Sequence, residues 1–269
     1  MTLPPLGDYL ATLRTATPLV HCMTNYVAMN STANLLLATG ASPAMLHAPE
    51  EVAEFTAIST GLSINIGTIS AHWAEAMLTA AATAGQHSIP WVLDPVAVGA
   101  TYYRQSLCTR LLALKPSVIR GNASEILALN GLASQGRGVD STAASGQAID
   151  AAIALAQKHG CIVAMTGESD WVTNGTQHYR IHGGHPLMPR VTTLGCGLSA
   201  LVTAFVAANR EAPLEATAAA LGCFAVAGER AGKTAQGPGS FQVALLDALY
   251  QLTPDDLTAH TQLEPRHAV

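Results

Sequence analysis

Short apolar runs rich in β-branched residues alternate along this chain with longer segments whose apolar positions recur every three or four residues. The runs Leu19–Cys22, Leu62–Ile66, Trp91–Asp94, Ser117–Arg120 and Cys161–Met165 predict strands. Between them, Thr32–Ala38, Glu50–Ser59, Ala71–Ala84, Ser106–Leu114 and Ala144–Lys158 predict helices. This rhythm is that of an α/β fold in three layers, a mostly parallel central sheet flanked by helices. From Asp170 to His185 the pattern changes. Trp171–Thr173 and His178–Ile181 flank Asn174-Gly175, which predicts a β-hairpin with a type I′ turn. Cys196–Ala208, Leu214–Ala231 and Phe241–Leu252 then read as helices, and the polar segment 253–269 is expected to fray. No linker or repeat interrupts the pattern, so residues 1–269 are expected to form a single domain.

In a parallel sheet, ligands gather where the strands' carboxyl ends meet the following loops. The polar or glycine residues that close the strands, Asn25, Gly67, Asp94, Arg120 and Thr166, are therefore the first candidates. Arg120 can pair with phosphate oxygens. Glu125, one turn into the next helix, can hold Mg²⁺ through water, or serve with Asn122 in a capping box; both roles are compatible. Asp94 can hold a metal–nucleotide complex or simply initiate a turn before Pro95. The Thr166 hydroxyl can reach a nucleotide phosphate or mark a strand-to-turn transition at Gly167. The loop Thr193-Leu194-Gly195-Cys196 opens into an apolar helix, whose free N–H groups suit an anion; an ordinary close-packed helix start is the plainer reading. His21–Val27 and Gly40–Met45 mix apolar and amide side chains in a way that fits a small pocket, although Met45 alone also suits core filling. His182-Gly183-Gly184-His185 has no third ligand nearby and is weak ground for a metal.

Composition narrows the function class. Hydrophobic residues make up 49% of the 269 and charged residues only 12%. Yet no run approaches the ~18 apolar residues of a membrane span, and Met1–Pro5 lacks the basic head and apolar block of a signal peptide. A cytoplasmic protein is expected. The net charge of −5 comes without a basic cluster, which argues against nucleic acid. Five scattered cysteines without a Cys-x-x-Cys pair speak against a disulfide framework or a zinc ribbon. Neither a Gly-x-Ser-x-Gly elbow nor a P-loop pattern occurs.

Taken together, several blocks carry a resemblance. They are His21–Asn25, Thr32–Asn34, Gly40–Met45, Asn65–Thr68, Leu93–Gly99, Ile119–Ile126, Gly138–Asp140 and Gly237–Phe241. In this order and over nearly the whole length, the chain resembles the hydroxyethylthiazole kinase family of the ribokinase-like superfamily. The resemblance implies transfer of the ATP γ-phosphate to the hydroxyl of 4-methyl-5-(2-hydroxyethyl)thiazole, with Mg²⁺ and a homotrimer whose pockets lie at subunit boundaries. It matches Arg120 and Thr166 to ATP-contacting positions, and Met45, with Asn25 nearby, to the thiazole side. Thr193 and Gly195 fall on the substrate-side anion loop, and Asp94 and Glu125 on the magnesium side. Cys196 stands where many ribokinase-like kinases carry a catalytic Asp; a thiol, with its pKa lowered at a helix N-terminus, would act as a weak base. Thr193-Leu194-Gly195-Cys196 departs from the family's Gly-Thr-Gly-Cys, and a β-branched residue takes positive φ only at a cost. A kinase for another small alcohol, such as hydroxymethylpyrimidine, and a non-catalytic ligand-binding homologue are the rival readings.

Overall fold

The computed structural model describes residues 5–131 and 141–267. Among these residues, nine strands form one sheet in the order β2-β1-β3-β4-β5-β6-β7-β8-β9. They are β1 Leu19–Met23, β2 Ser42–Ala44, β3 Gly61–Asn65, β4 Trp91–Asp94, β5 Val118–Asn122, β6 Ile162–Thr166, β7 Asp170–Thr173, β8 Gln177–His182 and β9 Gln262–His267. Strands β2 to β6 run parallel, and β7, β8 and β9 follow antiparallel.

Alternation along the strands sorts their side chains between two cores. Val92, Ile162 and Ala164 pack on one face, and Trp91, Leu93, Val163 and Met165 on the other. The first core is completed by α1 (Leu6–Ala16), α2 (Met29–Thr39), α8 (Leu194–Ala208), α9 (Pro213–Thr234), α10 (Pro238–Gln251) and α11 (Pro254–His260). The second is covered by α3 (Val52–Ile58), α4 (Ala71–Gln86), α5 (Tyr102–Leu112), α6 (Ala123–Leu129) and α7 (Ser141–His159). The expected three-layer α/β architecture is the one observed.

Helix α8 is buried along nearly its whole length. Leu201 and Phe205 are fully buried in it, each contributing about 1.5–3 kcal/mol by leaving water. Its close approach to the sheet depends on Gly61: a Cβ there would stand 2.9 Å from Thr203 Cγ2 and 3.0 Å from Ala207 Cβ. A larger residue at position 61 would push α8, and everything mounted on its N-terminus, away from β3. No helix of the described residues is long and apolar enough to cross a membrane.

Two expectations need correction. Segment 253–269 does not fray over its described part: Thr253 and Asp256 form a capping box that starts α11, Asp256 pairs with Arg230 at 2.7 Å, and Leu257 is buried. The chain then adds β9 to the sheet through pairing with β8. Polar composition hid this because an edge strand needs backbone partners more than apolar side chains. The hairpin turn is also not type I′, which requires positive φ at both central residues. Asn174 begins the turn, its Oδ1 accepting from the N–H groups of Thr176 and Gln177, and Gly175 alone of Asn174-Gly175 takes positive φ. Gly138–Asp140 lies outside the described residues.

Candidate active site

The parallel register sets neighbouring strand ends side by side. Asn65 closes β3 directly opposite Asp94, which closes β4. The Asn65 amide donates to Asp94 Oδ2 at 2.6 Å, and its carbonyl accepts from Gly67 N at 2.9 Å. Ser199, one turn into α8, donates to the same Asp94 oxygen at 2.8 Å. Asn25, in the loop after β1, donates to Asn65 Oδ1 at 2.9 Å and to Cys196 Sγ at 3.3 Å. One buried polar chain thus joins three strand ends to the start of α8.

Asp94 is 1% exposed. Burial pushes its carboxyl up to about 6, with Glu125 adding to the rise, although Arg120, Ser199 and Asn65 pull the other way. Arg120 NH1 stands 3.9 Å from Asp94 Oδ2, and its NH2 donates to Thr166 Oγ1 at 2.6 Å. Gly195 lies against the guanidinium, since a Cβ there would meet Arg120 NH1 at 2.9 Å. The Nε of Arg120 is buried without a hydrogen-bond partner among the described residues, leaving donor capacity for an anion. Beside it opens a cavity of about 500 Å³ lined by polar and glycine residues such as Arg120, Thr166, Gly167 and Gly195 and by apolar ones such as Leu198 and Phe224. That mixed lining suits a ligand with both apolar and charged parts. Asp170 borders the same cavity. It accepts from Gly167 N at 3.1 Å, and burial pushes it up to about 6.

Thr193 precedes α8 with φ 69° and ψ −1°, in the left-handed region. For a residue with a Cβ that conformation costs roughly 1–2 kcal/mol. The chain therefore accepts the strain that a glycine would avoid, and Thr193 Oγ1 is tied at 2.6 Å to Ser31 Oγ. Cys196 follows, half-buried, while the other four cysteines are buried free thiols. The expected lowering of its pKa is overturned. Burial, then the nearby Asp94 charge, raises the thiol, and the bonds from Asn25 and Asn65 offset this only in part. Desolvation and a neighbouring carboxylate outweigh the helix N-terminus here.

Glu125 uses both carboxylate oxygens structurally. Oε2 accepts from Asn122 N at 2.9 Å in the capping box, and Oε1 accepts from Ala97 N at 3.0 Å across the loop after β4. Each carboxylate oxygen has a second lone pair. Glu125 therefore keeps acceptor capacity for the waters of a hydrated Mg²⁺, whereas Asp94, buried with Oδ2 accepting from Asn65 and Ser199, is less suited to binding the ion directly. Met45 lies half-buried against the α2–α8 core, just beyond β2. The segment after it is fastened beside β1, with His21 Nε2 2.9 Å from Leu46 O and His47 Nε2 3.0 Å from Thr24 O. His182 and His185 go separate ways: His182 Nε2 is 3.3 Å from Glu264, and His185 stacks on Phe241 with centroids 5.6 Å apart.

Asn65, Ser199, Asp170 and Ser31 were not singled out from the sequence. Asn65 carried a usable signal, because it closes a strand just as Asp94 does. Ser199 carried a weaker one, as a hydroxyl within the apolar run of α8.

The profile of the Hydroxyethylthiazole kinase family matches residues 10–255. A hydroxyethylthiazole kinase of Cereibacter sphaeroides is 57% identical over 258 residues, covering 96% of this chain and 98% of its own. Another, from Rhizobium rhizogenes, is 56% identical over 246 residues, 91% of this chain and 92% of that one. Among solved structures, the hydroxyethylthiazole kinase protein from Pyrococcus horikoshii OT3 superposes with a TM-score of 0.90 at 37% identity, covering 97% and 99% of the two chains. A Staphylococcus aureus pyridoxal kinase, solved with AMP-PCP and pyridoxal, has a TM-score of 0.65 at 16% identity over 93% and 98%, a likeness of fold alone.

Proposed function

This chain belongs to the hydroxyethylthiazole kinase family, and from that premise we propose how its own residues transfer the γ-phosphoryl group of ATP to the hydroxyl of 4-methyl-5-(2-hydroxyethyl)thiazole. The supporting observation is the convergence of Arg120, Asp94, Cys196 and the N-terminus of α8 on one polar cluster at the strand ends.

The nucleotide occupies the cavity beside Arg120, with its base toward Leu198 and Phe224 and its phosphates toward Arg120 and Thr166. The Arg120 fork neutralises phosphate charge. The free N–H groups at the start of α8 face the transferring group, where negative charge is stabilised. Asp94 and Glu125 are the residues that would hold Mg²⁺ brought with ATP, which would add neutralisation of phosphate charge.

The thiazole alcohol lies on the side of Asn25 and Met45, with the loop at Thr193 and Gly195 above it. Its hydroxyl oxygen attacks the γ-phosphorus, and the bond to the oxygen of the leaving ADP breaks. Cys196, as thiolate, takes the hydroxyl proton. A raised thiol pKa makes this a sparing base near neutrality, which phosphoryl transfer tolerates because it depends mostly on positioning and charge. We further propose a homotrimer with pockets at subunit boundaries. Tyr26 and Val27, 67% and 61% exposed next to Asn25, offer apolar surface for a neighbour to cover.

The test is direct. The purified protein is incubated with ATP, Mg²⁺ and either the thiazole alcohol or hydroxymethylpyrimidine, and phosphate esters are followed by ³¹P NMR. Phosphorylation of the thiazole alcohol in preference is expected. Exclusive phosphorylation of the pyrimidine would replace the substrate, and phosphorylation of neither, with no ATP consumed, would leave only binding.

A further inference from the structure

Two turns at the site hold residues other than glycine at positive φ, Ala97 after β4 at 54° and Thr193 before α8 at 69°. Each is fastened from a neighbouring element. Glu125 of α6 accepts from Ala97 N at 3.0 Å, and Ser31 of α2 meets Thr193 Oγ1 at 2.6 Å. The Thr193 hydroxyl also reaches Thr192 O at 2.6 Å, and Ser31 Oγ reaches Ala28 O at 3.1 Å. With one proton each, the two hydroxyls can fill two of these three contacts, and Ser31 donating to Thr193 Oγ1 while Thr193 donates to Thr192 O ties the start of α2 to the backbone just before α8.

The same two elements touch again one turn further on. Gly197 has no room for a Cβ against Leu35 of α2, so α2 and α8 lie in close contact there. Thr193 O accepts the first helical bond, from Gly197 N at 2.9 Å. The conformation of Thr193 thus sets how α8 begins, and with it the placing of the Gly195 N–H and Cys196 Sγ. A left-handed threonine persists only where its surroundings over-determine it.

We propose that Ser31 is a positioning residue whose hydroxyl holds Thr193 left-handed, fixing the Gly195–Cys196 start of α8 against Arg120. The inference deepens the kinase reading and rests on it for its rate measurement. Ser31 touches no reacting atom in this reading; it acts through Thr193. Glycine at position 193 adopts the same conformation without a tie, so the need for Ser31 should vanish in its presence.

The experiment is a mutant cycle on the full-length protein, with steady-state kinetics for ATP and the thiazole alcohol and thermal unfolding without ligand. Ser31→Ala is expected to lower kcat about 3- to 30-fold with the KM for ATP unchanged within twofold, as for loss of a positioning contact, and to lower Tm. Thr193→Val, which keeps the branched shape and removes the oxygen, should reproduce that loss. Ser31→Ala added to Thr193→Gly should cost less than about twofold further in kcat and leave Tm unmoved, because the two residues act as one unit. An equal Ser31→Ala penalty in both backgrounds, or none in the parent, overturns the proposal. If the parent phosphorylates no thiazole alcohol, the kinase reading falls, and the unfolding cycle alone still decides on the tie.

Discussion

The side-chain amide of Asn25 donates to the sulfur of Cys196 at 3.3 Å, and its orientation is set from the far side, where Asn25 Oδ1 accepts from Ala28 N at 3.0 Å. Position 196 therefore faces a fixed hydrogen-bond donor, which favours an anionic side chain there. Against this stand burial and the Asp94 charge, which raise the thiol.

The first prediction concerns the base. Cys196→Ala should lower kcat about 10- to 1000-fold, the usual range for losing a general base. Cys196→Asp should retain or exceed parental turnover, since a carboxylate is ionised at neutral pH and Asn25 still donates to it. The sign of the pH dependence follows. A base acts deprotonated, so the raised thiol places the rising limb of the parent's kcat profile on the alkaline side, and Cys196→Asp should level off at lower pH. Parental rates for Cys196→Ala across the whole profile would reduce the cysteine to packing.

The second concerns the nucleotide. Arg120 makes a bond to Thr166 and faces Asp94, with its Nε unpartnered among the described residues. Arg120→Ala should raise the KM for ATP about 10- to 100-fold, as expected for charge-assisted hydrogen bonds worth about 1.5–3 kcal/mol. Thiazole binding, measured by calorimetry without nucleotide, should change little. Arg120→Lys should rescue incompletely, because an ammonium lacks the planar fork. Equal weakening for both ligands would take Arg120 out of the nucleotide site.

The third links function to stability. Asp94 is held at about 6 in the folded state, against about 3.9 in an unfolded chain. A folded pKa above the unfolded one means that stability is fully present at low pH and falls as pH rises from about 4 through 6. Near neutrality the buried charge costs on the order of 1–3 kcal/mol. Asp94→Asn should therefore raise the Tm of the ligand-free protein at pH 7.5, with the gain shrinking toward pH 4.5, while kinase activity falls at least about 100-fold as for loss of a residue that would hold the cation neutralising transition-state charge. A lower Tm for Asp94→Asn at pH 7.5 would contradict the assignment of Asp94 as a functional charge held at a cost.

The fourth concerns assembly. Light scattering after gel filtration should give the mass of three chains. Val27→Glu, placing charge on the exposed apolar surface beside Asn25, should lower both the mass and the activity. A monomer with full activity would remove the subunit boundary from the site.

Much of the architecture was legible in residue order, because burial leaves a periodic trace. Strand Trp91–Asp94, and a helix over Ala71–Ala84 that runs on to Gln86, announced themselves by where their apolar side chains recur. The polar ends Asn25, Asp94, Arg120 and Thr166 stood out because a parallel sheet exposes those ends to ligands. Position 193 was marked as a place where positive φ would be costly, and its φ is 69°. What periodicity cannot carry is proximity between distant residues. Cys196 lies 171 positions from Asn25, and Ser199 lies 105 from Asp94; only the strand register and the seating of α8 over Gly61 brought them together. The thiol pKa went opposite to its helix position for the same reason, since desolvation and a neighbouring carboxylate belong to the assembled surroundings. Segment 254–267 became helix and edge strand because partners waited at Arg230 and along β8. The local sequence determined which residues would be buried and which strand ends would be polar; tertiary packing decided which of those polar groups share a hydrogen bond, and so which chemistry each can perform.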